Sequence, residues 1–62
     1  LMIRLQLTID EETKEVFVNE DHILAVESAE DGRAMVIMLT GMMYKADQNA
    51  KSVVNDIRTA AR

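Results

Sequence analysis

Hydrophobic and polar positions alternate along the first part of the chain. Every second side chain of residues 2–9 is apolar, and most of those between are polar. A period of two is typical of a strand that buries one face. The apolar members are Ile3, Leu5, Leu7 and Ile9. The polar residues 10–14 then predict a turn, and the β-branched and aromatic residues 16–18 predict a short returning strand.

The middle of the chain predicts three more strands. Residues 22–28 form the third candidate, and Asp31-Gly32 after it is a hairpin signal because glycine adopts positive φ without steric cost. Residues 34–40 predict a fourth strand that is apolar on both faces. After the turn at Thr40-Gly41, residues 42–45 predict a short fifth strand. A strand with two apolar faces must be covered on both sides.

The C-terminal segment changes to helical periodicity. Its apolar residues recur at three- and four-residue spacing: Ala50, Val53, Val54, Ile57 and Ala61. This pattern predicts one amphipathic helix of about three to four turns, capped by Asp47 or Asn49 and with Val53, Val54 and Ile57 facing inward. The sequence therefore predicts a single α+β domain over residues 1–62. We expect a small antiparallel β-meander of about five short strands with one C-terminal amphipathic helix packed on the sheet.

Chain length and composition point to self-association. A chain of 62 residues buries only ~60% of its unfolded surface, and small domains usually gain stability from disulfides, a metal or an oligomer interface. Cysteine is absent, and His22 is the single histidine. Oligomerisation is the remaining source of support, and 48% of the residues are hydrophobic. We therefore expect a homo-oligomer, most simply a dimer.

Methionine is concentrated in the region of the last two strands. Four of the five methionines lie in residues 35–43. Methionine side chains are flexible and fill either irregular cores or adaptable binding surfaces, so both roles stay open. A single helix covers only one face of the fourth strand, which favours an interface on the other face. The candidate interface residues are Met35, Val36, Met38, Met42 and Met43.

Charge is distributed unevenly along the chain. The net charge is −4, with nine acidic against two basic residues in residues 1–31 and two acidic against five basic residues in residues 32–62. An acidic surface repels phosphate, so nucleic acid is not expected to bind there, although charge runs are usually just solvated. Four basic residues in the second half are candidate phosphate contacts, and the alternative is that they are simply solvated. They are Lys45, Lys51, Arg58 and Arg62.

No catalytic, metal-binding or cofactor-binding motif emerges from the sequence. His22 follows Glu20 and Asp21, but neighbouring residues of a strand point to opposite faces and would not orient its ring. Two glycines nine positions apart do not form a phosphate-binding loop. We expect a non-enzymatic protein without a cofactor. No apolar run approaches the ~20 residues of a membrane span, and no signal-peptide pattern is present, so we expect no membrane partner and a cytoplasmic location.

Several short segments occur in an order known from one protein family. They are Val18-Asn19, His22-Ile23, Val26-Glu27, residues 36–39, Gly41, Tyr44, Val53-Val54 and Ile57. Together they resemble the FlbD family of small bacterial flagellar and swarming-motility proteins, whose members open with a Met-Ile strand, as Met2-Ile3 does here. The resemblance implies a non-enzymatic regulatory protein linked to motility, which acts by binding a protein partner that the sequence does not identify.

Two alternatives remain open at this point. Gly41, Tyr44 and Asp47, followed by a helix ending at residues 60–62, resemble the dimerisation module of the actinobacterial nucleoid-bridging silencers. That resemblance implies a dimerisation domain of a DNA-associated protein. The acidic first half alone is also compatible with a small phage or plasmid inhibitor that mimics nucleic acid.

Overall fold

The computed structural model describes residues 1–60 as five strands and one helix. The strands are β1 Met2–Ile9, β2 Glu12–Asn19, β3 Ile23–Ser28, β4 Arg33–Met38 and β5 Met43–Asn49, and the helix is α1 Ala50–Ala60. A short 3-10 turn, Glu20–His22, joins β2 to β3. All neighbouring strands are antiparallel, and α1 packs on one face of the sheet. The predicted α+β class, with five strands and one C-terminal helix, is confirmed.

The spatial order of the strands is β2-β1-β5-β4-β3. β3, β4 and β5 follow one another as a meander, and the β1–β2 hairpin joins them through pairing of Leu7 with Ala46 and of Thr8 with Lys45. The first and last strands of the chain are therefore neighbours. β2 and β3, which are consecutive in sequence, form the two edges of the sheet.

The short connection between β2 and β3 requires the sheet to curl. Across a flat five-stranded sheet the two edge strands would lie about 19 Å apart. The link from Asn19 to Ile23 spans about 14 Å at most, and less in a 3-10 turn. The edges therefore approach each other as in a partly closed barrel. The Cα radius of gyration is 10.5 Å, close to the value of about 10.6 Å for a compact chain of this length.

The core occupies the concave inner face of the sheet, which is the face toward α1. Its fully buried large side chains are Leu5, Leu7, Val36 and Val53. Cross-strand partners point to the same face, so the pairs Ile3–Val18 and Leu7–Ala46 also face inward. The predicted alternation of β1 is confirmed, because Ile3, Leu5 and Leu7 are buried. Of the predicted inward helix residues, Val53 is buried and Ile57 packs against the core, whereas Val54 is partly buried beside Lys51 and Arg58.

The helix begins where its cap was expected. The side-chain Oδ1 of Asn49 accepts a hydrogen bond from the backbone N–H of Ser52 at 2.9 Å. Asn49 is therefore the capping residue, whereas Asp47 lies within β5 and its carboxylate is 3.6 Å from Arg33. The helix spans 11 residues, about three turns. Ala61, which we assigned to the helix from the sequence, lies outside the described residues.

Two strands are longer than their hydrophobic pattern indicates. β2 starts at Glu12 instead of Val16, because the turn is reduced to the two residues Asp10 and Glu11 and the polar residues after them pair with β1. β5 continues to Asn49, which pairs with Arg33 of β4. The β2 extension is polar and is predicted as a turn from the sequence, whereas the β5 extension contains the buried Ala46 and the two predicted capping residues, Asp47 and Asn49. Backbone pairing with a neighbouring strand forms them, and this leaves no hydrophobic alternation to detect.

Candidate interaction surface

The hairpin between β4 and β5 carries the densest exposed apolar surface of the described chain. We call residues 38–43 the methionine hairpin. Its turn is closed by hydrogen bonds from the Met38 N–H to the Met42 carbonyl at 2.8 Å and from the Gly41 N–H to the Met38 carbonyl at 2.9 Å. Gly41 has a φ of +91°, a conformation that favours glycine. The turn thus holds three large apolar side chains in solvent: Leu39 is 59%, Met42 54% and Met43 55% exposed.

The predicted interface residues divide between the core and the two faces of the sheet. The prediction that Val36 belongs to the interface is wrong, because its side chain is 0% exposed in the centre of the core. Met38 is partly buried and packs against the core from the inner face. Met35 is partly buried on the outer face, beside its cross-strand partner Lys45. Met42 and Met43 are exposed and remain available to a partner.

A small pocket lies beside the methionine hairpin. It has a volume of about 400 Å³ and is lined by His22, Met38, Leu39, Thr40, Met42 and Tyr44. The backbone N–H of Leu39 donates to the carbonyl of His22 at 2.8 Å, which attaches the 3-10 turn to the hairpin. Leu39 and Tyr44 were not among the sequence candidates. Both lie in the uncharged residues 34–44, which also contain four methionines. This run was the signal in the sequence that could have indicated them.

A second concavity, the seam groove, lies between the β1–β2 hairpin and the residues His22, Met38 and Tyr44. It has a volume of about 530 Å³ and an apolar lining. Its inner-face residues are Leu7, Ile9, Val16, Val18, Met38 and Tyr44, and the rim residues are Met2, Phe17, Asn19 and His22. The helix contacts β1, β3, β4 and β5, and none of the residues that line the groove belongs to α1. Sequence reasoning missed the groove because it depends on how far the sheet curls.

The methionine hairpin and the surface along β2 differ in charge. Residues 34–44, which include the methionine hairpin, form the longest uncharged run of the sequence. Residues 10–22, which form β2 and its two flanking turns, contain six acidic residues against Lys14, a net charge of −5 with His22 neutral. The chain therefore presents a neutral apolar surface at the β4–β5 hairpin and an acidic border along β2.

The basic residues do not form one patch. Lys45 lies on the outer face of the sheet and its Nζ is 2.5 Å from Asp31 Oδ2. Lys51 and Arg58 lie on the exposed side of α1, next to Val54 and Asn55. Because α1 packs on the inner face, Lys45 is separated from the helix cations. Arg62 lies outside the described residues.

Asp31 is the ionisable group most clearly affected by its surroundings. A hydrogen bond with the Lys45 side chain and a second from the backbone N–H of Arg33, at 3.0 Å, both favour the carboxylate. They hold the pKa of Asp31 below its ordinary value of 3.8. The same contacts fasten the β3–β4 turn to β5. Asp31 is on an exposed turn, and neither it nor Lys45 lines either of the two concavities.

Neither a metal centre nor a membrane span is found in the described part of the chain. Among residues 1–60, no three His, Asp or Glu side chains are grouped to hold a metal ion. His22 is exposed on the rim of both concavities. No helix within these residues has the length and apolar character to cross a membrane.

Comparison with protein-family models, curated proteins and solved structures finds no match to this chain. The class that the fold defines is a small, curled antiparallel sheet closed by one helix, with apolar surface left exposed. Function must therefore be argued from these surfaces.

Proposed function

We propose that this chain is a non-enzymatic, regulatory protein-interaction module that forms a homodimer through the methionine hairpin. The observation that carries the proposal is the exposure of Leu39, Met42 and Met43 together on one hairpin. Exposed apolar side chains that cluster in this way are typical of protein interfaces, and methionine and leucine adapt to the opposing surface.

A second copy is the occupant that the charge pattern favours. Two chains of net charge −4 repel each other over most of their surface. They meet without like-charge contact at residues 34–44, where charged residues are absent. A two-fold axis near the hairpin would bury the same apolar patch of both copies, as isologous dimers do.

A dimer of ordinary size would need more surface than the hairpin tip. A standard interface buries about 800 Å² per partner, and the protomer has a surface of 4376 Å². The hairpin tip would have to be joined by adjoining apolar surface, and the pocket lined by Met38 and Tyr44 lies beside it. The core contains four fully buried large side chains, so the protomer has much to gain from such burial.

The biological role that we propose follows from the resemblance to the FlbD family. That resemblance supports a regulatory protein linked to bacterial motility, and it supplies no catalytic residue. The alternative of a DNA-associated dimerisation domain has less support, because Lys45 is paired with Asp31 and is separated from Lys51 and Arg58. A motility defect in a deletion strain, restored by the intact gene, would test the proposed role.

Sedimentation velocity of the full chain over a range of micromolar concentrations tests the dimer. We expect a concentration-dependent dimer whose Kd rises at least tenfold in Met42→Glu, because an unpaired charge in an apolar interface is costly. Asn55→Glu is the matched control, since it adds the same charge at an exposed helix position and should leave the Kd unchanged. Circular dichroism confirms that both variants fold. A wild-type chain that stays monomeric throughout, or a Met42→Glu chain that dimerises normally, would refute the proposal.

A further inference from the structure

The free edge of β2 is a long, regular row of unpaired backbone groups. Among residues 1–60, β2 pairs with β1 alone, in unbroken register from Glu12 to Asn19. In an antiparallel ladder, alternate residues turn their N–H and C=O groups away from the partner. Ile9 and Glu12 close the two-residue turn, so Glu12 and every second residue after it bond to β1. The N–H and C=O groups that point away from β1 therefore belong to Thr13, Glu15 and Phe17. They provide three donors and three acceptors for another strand.

The other edge of the sheet is less suited to pairing. β3 has six residues, and its register with β4 shifts between Ile23 and Ala25. A bulge of this kind twists a strand and protects an edge against further pairing. β2 has eight residues and no such interruption. A strand that extends this sheet would therefore pair with β2.

The seam groove lies beside the same edge. The side chains of Val16 and Val18 line the groove from the inner face of β2, whereas Glu15 and Phe17 alternate to the outer face, with Phe17 at the rim of the groove. Side chains of adjacent strands that stand opposite each other share a face. A strand paired with β2 would therefore place the side chains opposite Val16 and Val18 in the groove, and those opposite Glu15 and Phe17 on the outer face.

The charge around this edge indicates what kind of segment would bind. Residues 10–22 carry a net charge of −5. The β2 edge of a second copy carries the same charge, so symmetric pairing of two β2 strands is opposed by repulsion. A segment with lysine or arginine at the positions opposite Glu15 would be attracted instead. Apolar residues at the alternate positions would fill the groove.

We propose that β2 binds an extended basic segment of another protein as a sixth strand, with the apolar side chains opposite Val16 and Val18 in the seam groove. Backbone hydrogen bonds to Thr13, Glu15 and Phe17 supply affinity, and the groove and acidic border supply specificity, as in other cases of strand addition. This goes beyond the proposed homodimer and does not depend on it, since the dimer is assigned to the methionine hairpin.

Fluorescence anisotropy with the full chain and a labelled eight-residue peptide of alternating lysine and valine tests the proposal. We expect saturable binding that weakens as salt is raised. Glu15→Pro should weaken it at least tenfold, because proline removes an outward N–H and is tolerated on an edge strand. Glu15→Gln is the matched control that removes only the charge, and we expect a loss of about twofold to fivefold, consistent with partial screening at an exposed site.

Changes in the peptide provide an independent arm in case Glu15→Pro unfolds the chain. The same peptide with the backbone nitrogens of its lysines methylated keeps its charge and side chains but loses the N–H groups that would face Thr13, Glu15 and Phe17, so we expect at least a tenfold loss of affinity. A glutamate–valine peptide should not bind. Equal binding of the methylated and unmethylated peptides, or no binding of the lysine–valine peptide to the wild type, would overturn the proposal. Met42→Glu should bind the peptide normally, which separates this result from that for the dimer.

Discussion

Asp10 and Glu11 are the two central residues of the β1–β2 turn, and both have positive backbone angles, with φ of 52° and 66°. The flanking residues Ile9 and Glu12 pair directly across the hairpin. Positive φ at both central positions is the geometry of a type I′ turn, which matches the right-handed twist of paired strands and favours Asn-Gly or Asp-Gly. Asp10 suits its position, whereas Glu11 does not.

We expect Glu11→Gly to stabilise the protein. The left-handed conformation costs a side-chain-bearing residue ~1–2 kcal/mol, and the greater freedom of glycine in the unfolded chain offsets ~0.4–1 kcal/mol of the gain. The net increase in the free energy of unfolding should be about 0.5–1 kcal/mol, measured by urea denaturation. Glu12→Gly, inside the strand, is the control and should destabilise by a similar amount. A lower urea midpoint for Glu11→Gly would contradict this account of the turn.

Replacement of the helix cap should weaken α1. Asn49→Ala removes the acceptor for the Ser52 N–H, and we expect a loss of about 1 kcal/mol in the free energy of unfolding. Asn49→Asp should retain most of the stability, because a carboxylate also accepts this bond at a helix N-terminus. Asp47→Ala loses only an exposed ion pair with Arg33 and should change stability by less than about 0.5 kcal/mol. Equal losses for Asn49→Ala and Asp47→Ala would show that the cap is misassigned.

Truncation to alanine should destabilise the protomer at Val36 but not at Met42. Val36→Ala creates a cavity in the core and should lower the free energy of unfolding by about 2 kcal/mol. Met42→Ala removes an exposed side chain and should leave the stability of the monomer nearly unchanged. Denaturation at low concentration measures the first effect, and sedimentation measures any change in self-association. A large loss of monomer stability in Met42→Ala would place this residue in the core.

Asp31 should make stability depend on pH in acid. Its folded pKa is lowered by Lys45 and by the Arg33 N–H, so the unfolded state binds the proton more tightly. The stabilising effect is therefore complete above the ordinary value of 3.8 and is lost as pH falls through the folded pKa. Asp31→Asn should flatten this part of the stability curve. NMR titration of the Asp31 carboxyl checks the cause, and a folded pKa at or above the ordinary value would refute it.

Elements with one buried face could be predicted from their own residues. β1 was predicted with its full length because Ile3, Leu5 and Leu7 alternate with polar side chains. The helix was predicted because Val53 and its neighbours recur at helical spacing and Asn49 precedes them. In each case the pattern along the chain and the burial in the fold have the same period.

The candidate surface was predicted only in part. The methionine-rich run is visible in the sequence, and Met42 and Met43 are exposed as an interface requires. Val36 and Met35 are adjacent and both apolar, yet one is in the core and the other on the outer face. Alternation places two such residues on opposite faces of a strand. It does not say which face the helix covers.

The hydrophobic period, the glycine turns and the capping residue belong to short stretches of chain, so the five strands and the helix, the α+β class and the uncharged run of residues 34–44 could be predicted from local sequence. Packing in three dimensions decided that β1 lies beside β5, that the sheet curls and that Val36 is enclosed. It also decided that β2 has a free edge next to an apolar groove. These features depend on contacts between residues far apart in the chain, such as Leu7 and Ala46, whose energies no local pattern contains.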